Sequence, residues 1–428
     1  MRRFIFDHKY AMESLKAYLF LLPSLVVLSI FVFWPIGFSL VLSFFKWDFK
    51  HQKNPVFIGW GNYAKLFRLE GMPFNFLDSL LLSLSFLALG LLILFSVRLC
   101  FERRKYWIFA VSLMVFVSTR FYLNRMGIVL LLLFLSSLSF FILFLARRYP
   151  DNWGEMMNST FSTLFFIMFV YMLLRWYAGG THDVLGYLLV AKEKSDFIKA
   201  IYNTLYYVVL STPTMIFLAL GIALLLNKPL IFRAFFRTAY FVPFVTSVVA
   251  ISLVWKWIFN DDFGLLNYFL SWFNIDKIAW LKDEKWTIPT IAIVSIWKTV
   301  GYDAMIFLAG LQNIDRFYYE AAEVDGANAW QKFLYITWPL LSPTTFFILI
   351  VSMIAAFKVF TEVYVLYEGL PGPYNNSGLT IVYFIFDTFY QQQRMGYACA
   401  AAYVLFSIIL VLTLIQFSIG RKKVQYEG

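Results

Sequence analysis

The sequence predicts an all-α fold: a polytopic membrane bundle of about ten spanning helices. Three observations carry that prediction. Hydrophobic residues make up 61% of the 428 positions and charged residues only 14%, against about 25% charged in an ordinary soluble domain. The mean hydropathy of +0.71 arises from repeated apolar runs, most of them close to the ~20 residues that cross a bilayer. The basic residues behind the net charge of +11 flank those runs, as they do on the cytoplasmic side of a membrane protein. In a water-soluble chain the same charge would suggest a nucleic-acid partner. Cys100 and Cys399 give no disulfide framework, and they, with His8, His51 and His182, offer no metal-ligand spacing.

The elements follow in chain order. Arg2, Arg3, Lys9 and Lys16 mark a basic cytoplasmic start. The first span covers about 18–42. It lacks a small-residue cleavage site and is expected to stay attached. Residues 46–76 are polar and external, and apolar runs follow at about 77–97, 106–123, 127–145 and 158–176. Further spans are expected at about 200–226, 238–258, 288–311, 343–366 and 396–419. The last ends on Arg421-Lys422-Lys423, so both termini are expected in the cytoplasm. The Lys/Arg bias across the loops is modest and has the sign this orientation requires.

The most informative polar stretch is 315–343, between two spans. Asp315 to Val324 is rich in helix formers, with Asn313 or Asp315 available as a cap. Gly326 after Asp325 permits a left-handed stop. A second short helix is expected from Ala327 to about Tyr335, with Trp330, Phe333 and Leu334 on one face and Pro339 and Pro343 ending it. The object is a helix, a tight turn and a helix at a membrane surface.

Glu320-Ala321-Ala322, then Gly326, Ile336 and Trp338-Pro339, resemble the EAA loop of ABC importer permeases. That family usually has Leu where Trp338 stands. Trp255-Lys256, Phe263-Gly264-Leu265-Leu266-Asn267, Ile296-Trp297-Lys298, Gly301-Tyr302, Ala309-Gly310-Leu311-Gln312 and Gly396-Tyr397-Ala398 are similar to the carbohydrate branch, and to the larger permease subunit of maltose importers. The resemblance covers roughly 15–65 and 180–420. It implies a type I core of six spans plus four inserted ones. The expected units are 1–74 (first span and external segment), 75–180 (the inserted block) and 181–428, the core with its coupling loop at 313–343. The block is expected to act as a peripheral scaffold, an accessory-protein contact or a brace for a binding protein.

The resemblance also implies partners and a mechanism. It implies a second homologous permease, a cytoplasmic ABC ATPase dimer that holds ATP and Mg, and an external solute-binding protein. The plasma membrane of a bacterium or archaeon is the implied location. Glu320, Ala321, Ala322, Asp325, Gly326, Ala327, Ile336 and Pro339 would form the loop that docks on the ATPase. Position by position, the sugar cavity would be lined by Phe244, Val248, Trp297, Val300, Gly301, Ala304, Ser352, Ala356 and Val359. Trp297 is open to two readings, stacking on a sugar ring or ordinary helix packing.

The chain itself holds no GxxxxGK[ST] loop and no HExxH, CxxC or GxSxG motif, so no cofactor and no catalysis are expected in it. Lys298, Asp303, Lys358 and Glu362 fall inside predicted spans. Charges there usually face a cavity or a partner. Lys358 and Glu362, four apart, are expected to pair on one helix face. Structural pairing near an interface and contact with substrate both remain open for all four. The function the resemblance implies is ATP-driven import of a sugar or oligosaccharide. The alternatives are the same machinery for a glycerol-phosphate-like or other polyol solute, or an ion-coupled secondary transporter.

Overall fold

The computed structural model describes residues 8–51, 53–69, 71–72, 76–84, 183–229 and 231–423. The chain divides into two compact units, Met1–Arg68 with Ser195–Gly428, and Leu69–Lys194. Most of the second unit, including the runs expected at 106–123, 127–145 and 158–176, lies outside the described residues. Its described parts are helical turns over 76–84 and the helix Val184–Lys194. Within it, Phe76 meets Tyr187 edge-on, with ring centres 5.3 Å apart.

The first unit is built on four helices long and apolar enough to cross a bilayer: Tyr18–Ser43, Asp196–Asn227, Glu284–Asn313 and Met395–Ser418. Two bent pairs raise the number to as many as six among the described residues. The expected total of ten includes runs outside them.

The first span begins earlier than its apolar core, at His8, and runs to Ser43 through a π-turn over Ser29–Phe33. The π-turn has a local cause. Pro35 has no N–H to offer the preceding turn, and the Trp34 N–H bonds back five residues to the Ser29 carbonyl. The helix therefore continues where a proline would otherwise break it. After the span, Phe45–Lys46 and Val56–Phe57 pair antiparallel, with Phe45 opposite Phe57. Buried Asn62 fixes this corner by donating to the Ser43 and Phe45 carbonyls at 2.8 and 2.9 Å.

Asp196–Asn227 and Glu284–Asn313 pack along their lengths and supply both hydrophobic clusters of the core. One cluster gathers Phe197, Tyr207, Trp280, Ile291, Phe357 and Phe384. The other gathers Ala219, Ala223, Phe307, Leu311, Leu341 and Ile348. Small residues let backbones approach where water provides no driving force. At Gly301 the approach is extreme: an added Cβ would lie 1.8 Å from the Tyr240 carbonyl oxygen. Only glycine lets the Arg233–Val245 helix cross there.

Two spans predicted as single helices are not single. The stretch expected at 238–258 is Arg233–Val245 followed by Val248–Ile258, bent by 101°. Pro243 removes a backbone donor, and Thr246 and Ser247 adopt non-helical backbone between the halves. The stretch expected at 343–366 is a helix over Ser342–Ala356, a non-helical break over 357–360 and a short helix Thr361–Leu366. Hydropathy registers an apolar run and is blind to a turn inside it.

Candidate functional site

The coupling stretch folds as a capped hairpin. Asp315 caps the helix Arg316–Val324 by accepting the Phe317 N–H at 2.9 Å. The helix stops in a Schellman motif: Ala327 N–H donates to the Ala322 carbonyl at 2.8 Å and Gly326 N–H to the Glu323 carbonyl at 3.0 Å. Gly326 has φ +75°, which costs glycine nothing and a β-branched residue a great deal. Asn328 and Gln331 then form a reciprocal capping box, at 2.9 and 2.8 Å.

The second helix starts at Ala329, two residues later than expected, and does not end near Tyr335. It passes through a π-turn over Phe333–Thr337 and continues to Leu340, so Pro339 lies within it. Trp338 N–H reaches back to the Phe333 carbonyl, the device already seen at Trp34-Pro35. A 62° bend then leads into Ser342–Ala356. Lys332 bridges to Glu323 at 2.7 Å, and the Tyr319 and Thr337 hydroxyls meet at 2.9 Å, so the two arms are tied side to side.

The inner face of the hairpin, Tyr319, Phe333, Ile336 and Leu340, packs on the core. The outer face is open: Glu320, Ala321, Asp325 and Gly326 are exposed, Ala322 and Ala327 half-buried. Val324 is 89% exposed at the tip. Of the eight predicted residues, Ile336 and half-buried Pro339 belong to the seat of the hairpin, not to its free surface. At its base, the Gln312 amide oxygen, oriented by its hydrogen bonding, accepts from Arg233 and Arg237 Nη2 at 2.8 and 3.0 Å. The hairpin is thus tied to the first half of the broken 233–258 span.

A cavity of about 350 Å³ lies among the core helices. Of the residues predicted for it, Phe244, Ser352, Ala356 and Val359 line it. Val248, Trp297, Val300, Gly301 and Ala304 do not. Val300 and Ala304 are buried in the core cluster, and Gly301 seats the Tyr240 carbonyl. Trp297 packs edge-on against Trp255 at 5.7 Å. Trp297, Val300, Gly301 and Ala304 share one face of the 284–313 helix, and the cavity is lined from the opposite face by Ser295, Thr299, Tyr302 and Asp303.

The intramembrane charges separate into two roles. Lys298 Nζ donates to the Phe244 carbonyl at 3.0 Å, one of the carbonyls left unpaired at the end of Arg233–Val245. It is a structural cap on the broken helix. Asp303 lines the cavity and accepts from Ser352 Oγ at 3.3 Å. Lys358 and Glu362 also line it. They do not form the expected helix-face pair, because Lys358 lies in the non-helical break and Glu362 at the start of the next helix.

Sequence reasoning missed Tyr207, Ser211, Thr212, Ser295, Thr299 and Tyr302, which also line the cavity. A signal was available. Ser295, Thr299, Tyr302 and Asp303 recur every three to four residues in an apolar helix, and so do Tyr207 and Ser211.

Glu368, beyond the helix Thr361–Leu366, pairs with Lys256 of the helix Val248–Ile258, and the ammonium holds that carboxyl below the usual glutamate range. Asp261 accepts from Lys282 at 2.8 Å and raises the ammonium above its ordinary value.

Residues 183–424 match the sequence profile of a family described as the binding-protein-dependent transport system inner membrane component. The chain belongs to this family. It is a family of transport components, not of catalysts. The lactose transport system permease protein LacF of Rhizobium radiobacter is 34% identical over 290 residues, covering 65% of this chain and 97% of that protein. The arabinooligosaccharides transport system permease protein AraP of Halalkalibacterium halodurans is 36% identical over 223 residues, 51% of this chain and 70% of that protein. The fold is shared with the crystal structure of a bacterial ABC transporter involved in the import of the acidic polysaccharide alginate. There the TM-score is 0.50 at 25% identity, over 66% of this chain and 99% of the other. The alginate transporter in complex with its pentasaccharide-bound periplasmic protein matches with a TM-score of 0.51 at 25% identity.

Proposed function

We propose that this inner membrane component is one permease subunit of an ATP-driven importer. It moves a sugar or oligosaccharide delivered by an external binding protein. The observation that carries the reading is the hairpin: rigid by its caps and ties, open on its outer face, and seated on the core by its inner face. Such an object transmits a push; it does not recognise a small solute. Its outer face takes a nucleotide-binding subunit, which supplies ATP, Mg and hydrolysis from outside this chain. Glu320 is the charged contact, and Ala321, Ala322 and Ala327 let the arms sit deep in the partner. The relatives named for lactose and arabinooligosaccharides, and the alginate transporter, support a carbohydrate cargo over other polyol solutes.

In this assembly the chain pairs with a second, homologous permease and receives cargo from a solute-binding protein, as the alginate complex suggests. The LacF relative uses almost its whole length on 65% of this chain. That supports an insertion within 75–180 carrying four further spans, for about ten in all, with both termini in the cytoplasm. In alternating access, closure of the ATPase dimer moves the hairpin as one body, and the tie from Gln312 to Arg233 and Arg237 carries that motion to the broken span beside the cavity. A signal passes only through an element with two discrete arrangements, and the break at Thr246–Ser247 is such an element.

Glu320→Lys and Gly326→Pro test the coupling. The first reverses the contact charge; the second demands a negative φ where the chain needs a positive one. Both should abolish solute uptake and the link between uptake and ATP hydrolysis in proteoliposomes, with normal membrane insertion. Normal uptake by the Glu320→Lys transporter would refute docking at this face. Absence of an ATPase subunit from the natively purified complex would favour an ion-coupled transporter instead.

A further inference from the structure

Three hydroxyls in the cavity wall have no hydrogen-bond partner in the protein: Ser211 Oγ, Thr212 Oγ1 and Ser295 Oγ. Their residues are only 5%, 4% and 8% exposed. The Tyr207 phenol lies beside Ser211 and Ser295, and Glu362 beside Ser295, yet no bond of normal geometry closes. Buried polar atoms nearly always find partners, so an unsatisfied one calls for an explanation. Three in one wall share one: they face something that both donates and accepts.

The charges of the wall narrow the class. Asp303, Glu362 and Lys358 line the cavity, and Lys298 is anchored at its edge on the carbonyl of Phe244, itself a lining residue. Two carboxylates and two ammonium groups cancel, so neither an anion nor a cation gains from the net field. Phe244 and Tyr302 stack at 4.2 Å in the same wall and supply an apolar side. Hydroxyls, carboxylate acceptors and an aromatic face around a neutral interior fit a ring that carries hydroxyls on its rim and C–H groups on its faces. The volume of about 350 Å³ is that of an ordinary small-molecule pocket.

We propose that this cavity binds a neutral, polyhydroxylated solute through Ser211, Thr212 and Ser295, one sugar ring at a time, and that it does so in place of the face carrying Trp297, Gly301 and Ala304. The proposal rests on the reading of the chain as a sugar permease and adds the residues that read the hydroxyl pattern. Ser211 and Thr212 are neighbours on one helix, and Ser295 comes from the helix packed against it. The three therefore approach a ring from two sides and favour one arrangement of hydroxyls over its epimers.

The test uses the complete transporter, with its binding protein and nucleotide subunits, in proteoliposomes. Uptake of tritiated lactose, maltose and arabinotriose is measured at saturating binding protein. The Ser211→Ala, Thr212→Val, Ser295→Ala triple variant should lose uptake of the preferred sugar tenfold or more and should flatten the preference among the three. Its melting temperature should hold or rise, because an unsatisfied hydroxyl is removed at nearly constant volume. Thr212→Ser, which keeps the hydroxyl, should restore most of the loss seen with Thr212→Val alone. Wild-type rates and preference in the triple variant would overturn the proposal and leave the sugar permease reading intact. Failure of the wild-type transporter to take up the sugar that its own binding protein retains would overturn both.

Discussion

The hairpin and the cavity treat their polar groups in opposite ways. In the hairpin both helix starts are capped by side chains, the turn between them closes two backbone bonds, and an ion pair and a hydroxyl pair tie the arms together. Its local needs are met by its own residues, so it holds its shape whatever touches it. The cavity wall leaves hydroxyls unmet on two helices and spends Lys298 on the end of a broken third. A region that satisfies itself transmits force; a region that leaves groups waiting accepts a ligand. The difference is visible in the bends as well. At Trp34-Pro35 and Trp338-Pro339 a π-turn carries the helix through its proline. After Pro243 no such turn forms, and the chain bends by 101° beside the cavity.

The largest effect should come from disturbing that bent wall. Gly301→Ala places a methyl group 1.8 Å from one backbone atom of Tyr240 and 2.5 Å from another. Neither is a flexible side-chain end, so a helix must shift. Overpacking of this kind costs about 1–3 kcal/mol. The expected result is a clear drop in melting temperature, followed by intrinsic fluorescence in detergent. Gly221→Ala, where nothing lies within 4 Å, is the control. It should be neutral or slightly stabilising, since Ala exceeds Gly in a helix by about 1 kcal/mol. Equal behaviour of the two variants would mean that the crossing is looser than described.

A smaller effect is expected in the hairpin. Asn328→Ala removes one cap and half of a capping box, worth about 1 kcal/mol. Because Asn328 is exposed and belongs to neither core cluster, the loss should leave the melting temperature nearly unchanged. It should instead appear as faster amide exchange over 327–332 and as a several-fold lower ratio of solute transported to ATP hydrolysed. A variant that loses global stability instead would mean that the hairpin and the core fold as one cooperative unit.

The hairpin was legible because its determinants are local. The caps and the glycine act within a few residues, and Asp315 and Gly326 do what their sequence neighbours suggest. Of the expected apolar face only Phe333 packs on the core, while Trp330 and Leu334 are exposed and Ile336, expected in the docking surface, lies in the seat. The miss at Pro339 is also local: a π-turn leaves no mark in a pattern read with one helical period. The four long spans were legible from length and hydropathy. The breaks after Val245 and Ala356 were not, because tertiary contacts decide whether an apolar run bends. The cavity was read by position against a resemblance, which fixes where a residue stands in the chain but not which way its helix is turned. That is why Phe244, Ser352, Ala356 and Val359 were found and Ser211, Thr212 and Ser295 were not. Ser211 stands at helical spacing from Tyr207 and Ser295 from Thr299, a polar signal in an apolar helix that survives any register error.

The smallest effect concerns the clasp between Lys256 and Glu368, which links the second half of the broken span to the loop after Thr361–Leu366. The ammonium lowers the Glu368 pKa in the folded protein. A lowered folded pKa means the clasp is fully stabilising above the unfolded glutamate value of about 4.5 and is lost as pH falls through the folded value. Glu368 is largely exposed, so water and salt screen the pair. Glu368→Gln should therefore shift the melting temperature at neutral pH only slightly and in low salt alone, and the wild type and variant should converge as the pH is taken below 4. If the variant instead changes which sugar is taken up, the clasp belongs to the cavity's recognition surface, and the division between a satisfied lever and an unsatisfied wall would have to be redrawn to include this outer loop.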